Sequence, residues 1–170
     1  MMDKLIYRIA NKAFHSGFYR SLLSRILSYA VPFNSQHRLR IIELDKGYAK
    51  VKLPFIRSNR NHVKSVHACA LATLCEFTCG ISVMTLLSAD DYRIVLKSLQ
   101  MEYQYRGRGD VFCEHRLDPQ AFIIDHGSSL ESGLPLLYET VAKVCDLQGN
   151  IICTGIAVWQ IKKWDSVKSS

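Results

Sequence analysis

Proline and glycine are scarce, at 4 and 9 of 170 residues, which excludes collagen-like repeats and long Pro-rich linkers. Charged residues reach only 22% against 48% apolar residues, a balance that excludes a disordered or low-complexity chain. Six cysteines are too few for a disulfide scaffold. They sit among apolar residues and read as reduced, buried thiols. There is no P-loop, no G-x-G-x-x-G and no G-x-S-x-G, so the usual phosphate cradle, dinucleotide turn and nucleophile elbow are all missing. No internal repeat is present. The length suits one domain with its own core, or one domain plus an appendage.

What is abundant is positive charge at one end. Residues 1–42 hold seven Lys and Arg against the single acid Asp3, a net of +6 out of the chain's +7. The rest is nearly neutral. A nucleic-acid partner would want a basic face on the body of the domain, so none is expected. An anionic partner of the N-terminal segment stays open, either a membrane surface or an acidic carrier protein. This segment is apolar at helical spacing: Leu5, Ile6, Ile9 and Ala13, then Leu22, Leu23, Ile26 and Leu27. It lacks the unbroken apolar stretch and cleavage site of a secretory signal. Helices packed on the domain are the leading reading, with membrane-surface contact and a transit peptide as alternatives.

Residues 65–89 are long and apolar enough to suggest a membrane span. Glu76 near the middle argues against it, because an acid at mid-bilayer is costly. An all-round apolar helix is equally what a fully wrapped core helix looks like. The expected order is one or two helices over 3–31 with a break at Gly17, then strands at 37–44 and 48–53 around an Asp45-Lys46-Gly47 turn. A basic loop follows from Pro54 to Lys64, then the apolar helix from about His67 to Leu87. Strands are expected at 92–105, 110–117, 136–146 and 151–162, with a loop from Asp118 to Leu134. This order predicts an α+β fold, an antiparallel sheet around one central helix. The expected division is an N-terminal helical extension at 1–33 and a single domain at 34–170. Cytoplasmic location is expected.

Chemistry points to the central helix. Between Lys64 and Asp90, thiols aside, the only ionisable side chains are His67 and Glu76. A carboxylate in an apolar helix costs several kcal/mol unless paired or protonated, at roughly the scale of buried charges. Desolvation moves it toward the range useful to a general base. The alternative is a Glu bonded to backbone or to a Lys across the core. Upstream come Asn61 and then His67-Ala68-Cys69 at the helix start. Small residues there let a substrate approach unpaired backbone N–H groups, which suit a carbonyl oxygen gaining charge. Ala68 and Glu76 are eight residues apart, about 12 Å along one helix. A donor and a base must both lie within about 3–4 Å of the reacting group. One helix cannot supply both, so two copies must meet, in a homodimer or a pair of dimers. Cys69, Cys75 and Cys79 do not have zinc-ligand spacing, and no metal is expected.

The stretch from Asn61 through His67-Ala68 to Glu76 resembles the hotdog-fold acyl-CoA thioesterases, in the phenylacetyl-CoA thioesterase-like branch. Their pattern is Asn, a turn, His-Gly-Gly and then a helix acid. The resemblance covers most of residues 37–162, with Ser98-Leu99-Gln100-Met101-Glu102-Tyr103-Gln104-Tyr105 similar to the family's central strand. It implies a hotdog fold, with the N-terminal helices as an addition, and hydrolysis of an acyl-CoA or acyl-carrier thioester. Glu76 would be the base or nucleophile and the Ala68 N–H the oxyanion donor. His67 and Asn61 would shape the site, and Ser98 would add a polar contact. Coenzyme A would be part of the substrate and no separate cofactor is implied. Its phosphates would meet Arg106-Gly107-Arg108, with Arg57, Arg60 and Lys64 as further cations near the mouth. His-Gly-Gly is His67-Ala68-Cys69 here, and Lys64-Ser65-Val66 replaces the usual preceding Gly. These narrow the helix start and keep an alternative open, a non-catalytic acyl-binding or regulatory module. A hydratase is a third option, without its expected His–acid pair.

Overall fold

The computed structural model describes residues 9–167. Six strands form one antiparallel sheet: β1 (Arg40–Asp45), β2 (Tyr48–Leu53), β3 (Tyr92–Tyr103), β4 (Val111–Arg116), β5 (Leu136–Asp146) and β6 (Ile151–Lys163), in the spatial order β1-β2-β4-β5-β6-β3. The helices are α1 (Gly17–Ala30), a single turn α2 (Pro32–Ser35), α3 (Ala68–Met84) and α4 (Pro119–Glu131). The sheet wraps α3, as in a hotdog fold. Helix α3 touches five of the strands, β2 through β6. Leu71, Leu74, Cys75, Cys79 and Val83 are its buried side, set against Val51, Val111, Cys113, Val144 and Ile161 of the sheet. Burying each large aliphatic here contributes about 1.5–3 kcal/mol.

Two glycines let the helix and sheet close. A Cβ on Gly155 of β6 would lie 2.9 Å from Cys75 Sγ and 3.0 Å from Met101 Sδ. A Cβ on Gly80 of α3 would lie 3.0 Å from the Trp159 ring. The indole Nε1 of Trp159 donates to Thr140 Oγ1 at 2.9 Å, so this buried aromatic leaves no donor unpaired.

The two sheet edges differ. At β1, the Ile41 N–H donates to Ser24 Oγ of α1 at 2.9 Å. Leu23 of α1 is buried beside it, so a helix blunts this edge. At the other edge, among the described residues, the twelve-residue β3 pairs only with β6, with a bulge between Leu96 and Ser98. The segment expected as a central strand is thus an edge in the single chain.

Several boundaries depart from expectation. Strand β1 starts at Arg40 and not at residue 37, because Arg38 takes φ +53° and His37 turns inward to Asn59. Helix α3 ends at Met84, where Ser82, Thr85 and the chain beyond form a turn. The expected loop from Asp118 to Leu134 is largely helix α4. Asp118 caps it, accepting from the N–H groups of Gln120 at 2.8 Å and Ala121 at 3.2 Å, and Pro119 opens its first turn. The expected break near Gly17 lies between helical residues 9–13 and α1. The part of the N-terminal helix placed at 3–8, with Leu5 and Ile6, lies outside the described residues. Among the described residues no helix is long and apolar enough to cross a membrane.

Candidate active site

The loop before α3 is folded by its own side chains. Asn61 Oδ1 accepts from the N–H groups of Val63 at 3.1 Å and Ser65 at 3.0 Å, and from the Ser65 hydroxyl at 3.2 Å. Its Nδ2 donates back to Ser65 Oγ at 2.9 Å. Asn61 is therefore spent on holding the loop. Lys64 in this loop has φ +57°, a conformation that glycine adopts at less cost.

A residue that sequence reasoning missed sits underneath. Asn59 is fully buried and fully bonded. Its Nδ2 donates to the carbonyls of His37 and Pro54, both at 2.9 Å, and its Oδ1 lies 2.8 Å from His37 Nδ1. Its own carbonyl accepts from the His67 N–H at 2.8 Å, which fixes where α3 begins. An asparagine in a basic loop carries no pattern that marks it as buried, so nothing in the sequence pointed to it.

His67 is the N-cap of α3. Its Nδ1 accepts from the Cys69 N–H at 3.1 Å. That bond consumes one of the free amides at the helix start. The Ala68 N–H precedes the first helical bond and finds no acceptor among the described residues. His67, Ala68 and Cys69 are all exposed, so this amide opens outward. Cys69 thus differs from the buried thiols expected of the chain, whereas Cys75, Cys79, Cys113 and Cys153 are buried.

Glu76 lies on the same helix, half-buried. Burial alone lifts its carboxyl above the ordinary value, with no hydrogen bond or neighbouring charge contributing. Among the described residues neither the backbone nor a Lys across the core claims it. It is therefore a carboxyl held near water, unpaired and inclined toward its protonated form. Eight residues of continuous helix separate it from Ala68, about 12 Å of rise.

The cationic turn reaches the helix start. The Gly107 carbonyl accepts from the Val66 N–H at 2.8 Å. A Cβ on Gly107 would stand 3.2 Å from Val66 Cγ2 and 3.3 Å from Val111 Cγ1, so glycine is what lets the turn close on α3. Arg106 and Arg108 flank it, both exposed, one residue removed from the cap. Tyr103, not singled out in the sequence, donates its hydroxyl to the Ala68 carbonyl at 3.2 Å and ties the end of β3 to the same place.

Ser98 is not brought in. Met101 packs toward Cys75 and Tyr103 bonds to Ala68, so this parity of β3 faces the helix. Ser98 has the opposite parity, is paired with Val158 and exposed, and lies on the outer face.

A second pair lies behind α3. His115 Nδ1 of β4 is 2.6 Å from Ser82 Oγ, both buried. The Ser82 hydroxyl already donates to the Cys79 carbonyl at 2.7 Å, so the imidazole must donate and Ser82 accept. The pair is sealed and serves packing. Among the described residues no group of His, Cys, Asp or Glu could hold a metal ion.

Similarity to solved structures agrees with the fold. A protein of unknown function from Pseudomonas aeruginosa, described as a probable thioesterase, matches at 26% identity and TM-score 0.75, over 83% of this chain and 94% of that one. A thioesterase from Haemophilus influenzae matches at 10% identity and TM-score 0.65, over 89% and 95%. A thioesterase mutant from Staphylococcus aureus matches at 12% identity and TM-score 0.60, over 77% and 98%. No curated protein matches the chain. The matching family model, which spans residues 19–161 from within α1 to within β6, places the sequence: the chain belongs to the family described as domain of unknown function (DUF4442).

Proposed function

We propose that the chain is a thioesterase that hydrolyses an acyl-CoA or acyl-carrier thioester. The observation that carries this reading is Glu76: a half-buried carboxyl with no partner, lifted by burial, on the helix that also offers the bare Ala68 amide. The thioesterases among its structural relatives support the same class.

The active unit is a homodimer. The Ala68 amide of one protomer faces the Glu76 of its partner, because one helix cannot bring both to a single carbonyl. Strand β3 offers the pairing edge. Glu76 removes a proton from water as the oxygen attacks the thioester carbon. The carbonyl oxygen becomes an oxyanion and accepts from the Ala68 N–H. The tetrahedral intermediate collapses with cleavage of the C–S bond, and the protonated Glu76 returns its proton to the departing thiolate. The products are a carboxylic acid and a free thiol. His67 and Asn61 hold the helix start. Arg106 and Arg108 meet the phosphates of coenzyme A. A positioned base contributes about 10²–10⁴-fold and an oxyanion donor about 3–4 kcal/mol.

The test is hydrolysis of an acyl-CoA panel, followed by thiol release, with wild type and Glu76→Gln. Turnover that falls at least 100-fold in the variant while the dimer persists supports the mechanism. Equal turnover refutes the base. Thermal stabilisation of the wild type by acyl-CoA without any turnover replaces it with the non-catalytic binding module.

A further inference from the structure

We propose that α1 and the groove beside it seat the chain on an anionic phospholipid surface, with lipid phosphate held among Arg25, Arg38 and Arg40. The groove is a cavity of about 590 Å³ between α1 and β1. Its walls carry those three guanidinium groups and the hydroxyls of Ser21 and Ser28, and no carboxylate among the described residues. None of the three arginines enters a salt bridge among the described residues. Arg40 is felt by Asp110, but Lys52 holds that carboxylate. Arg38 stands at the joint with a second concavity of about 800 Å³, which Arg57 also lines. From residue 9 to residue 42 the chain contains no Asp or Glu at all.

The outward face of α1 supplies the second observation. Phe18, Arg25 and Tyr29 follow at offsets of 7 and 4, within about 40° of one another around the helix. This stripe lies away from Leu23, which is buried against the sheet edge. Phe18 is 73% exposed and Tyr29 86%, and Phe33 in the next turn is 63% exposed. Phe18 stands edge-on to Tyr19 and Phe33 tilts on the buried His37, and most of each ring's surface still faces outward. Aromatic groups beside arginines are what a helix lying on a headgroup layer presents. A small soluble phosphate would account for the arginines and leave the rings unexplained. A second copy would bring the same positive face and be repelled.

The experiment is co-sedimentation of the full chain with vesicles of pure phosphatidylcholine or of phosphatidylcholine mixed with phosphatidylglycerol. Binding is expected only to the anionic vesicles, and it should weaken from about 50 mM to about 500 mM salt as the Debye length shrinks. Each of Arg25→Gln, Arg38→Gln and Arg40→Gln should lower partitioning about fivefold. The double variant Phe18→Ser/Tyr29→Ser should lower it at both salt levels. Thermal melting of each variant checks that it folds. Absence of binding to either vesicle overturns the proposal. So does equal binding to neutral vesicles, or binding indifferent to the arginines. Binding of inorganic pyrophosphate that is lost in Arg25→Gln, with no vesicle binding, reassigns the groove to a soluble phosphate and also overturns it. The readout is vesicle binding, so failure here is separate from failure of the thioester chemistry.

Discussion

Replacing Glu76 by Gln should remove turnover and stabilise the fold at the same time. The carboxyl lies half-buried and burial alone raises its pKa. A carboxyl raised in the folded state binds protons there more tightly than in the unfolded chain. Its penalty is therefore absent below the unfolded value of about 4.3 and grows as pH rises through the folded value. At pH 7.5 the wild type bears that penalty and the amide does not. A fully buried polar group without a partner costs about 1–3 kcal/mol. Glu76 keeps part of its surface in water, so the gain expected is about 1 kcal/mol. For 170 residues the unfolding entropy is about 0.36 kcal/mol/K, which converts 1 kcal/mol to about 3 °C in Tm. Melting curves of both proteins at pH 7.5 and pH 4 test this, with the oligomeric state measured beside them. The gain should be present at pH 7.5 and vanish near pH 4. A variant less stable at pH 7.5, or a difference that ignores pH, would mean that the carboxylate is already compensated. The reasoning that makes it a poised base would then fail.

Three further outcomes follow from named contacts. Burial holds the His115 imidazole below its ordinary pKa, so the unfolded chain binds the proton more tightly. Stability from this residue is full above about pH 6.5 and is lost as pH falls through and below that value. His115→Gln should flatten the acid limb of a Tm-versus-pH curve, and an unchanged slope would exclude His115 as its source. Gly107→Ala should push the turn away from Val66, lowering stability by about 1–3 kcal/mol as overpacking does. It should also raise KM for acyl-CoA more than it lowers kcat; a changed kcat with constant KM would detach Arg106 and Arg108 from substrate binding. Asp118→Ala should cost about 1 kcal/mol through loss of two cap bonds, read as a lower urea midpoint at constant slope.

Period-two alternation makes β2 and the second half of β3 legible, because each has one face on the core, and the Gln148-Gly149-Asn150 turn marks the hairpin of β5 and β6. Helix α3 is legible from its all-round apolar run, and Glu76 in its middle is what separates a wrapped helix from a membrane span. Helix α4 was misread as a loop through its glycine and serine content. Its start signal was present all the same, as Asp118 followed by Pro119, and a capping argument would have found it. At the site, the helix start and Glu76 could be read from residue types alone. Asn59 could not, because its importance lies in four bonds to distant backbone and side-chain groups. Ser98 rests on the family resemblance alone, because the spacing from helix to strand does not fix its place, and alternation along 98–105 already sets it opposite Leu99 and Met101.

The placement of Glu76 and of the open strand belong to one argument. Helix α1 covers the β1 edge, where Ser24 accepts the Ile41 amide, so that edge is closed to a partner. Strand β3 stays open, and its far end is bonded through Tyr103 to the carbonyl of Ala68. A second copy that pairs along β3 is therefore brought in beside the helix start. The proposed chemistry and the proposed dimer thus make the same demand on the same edge, because within one chain the Ala68 amide and the Glu76 carboxyl stay about 12 Å apart on a helix that cannot bend to join them.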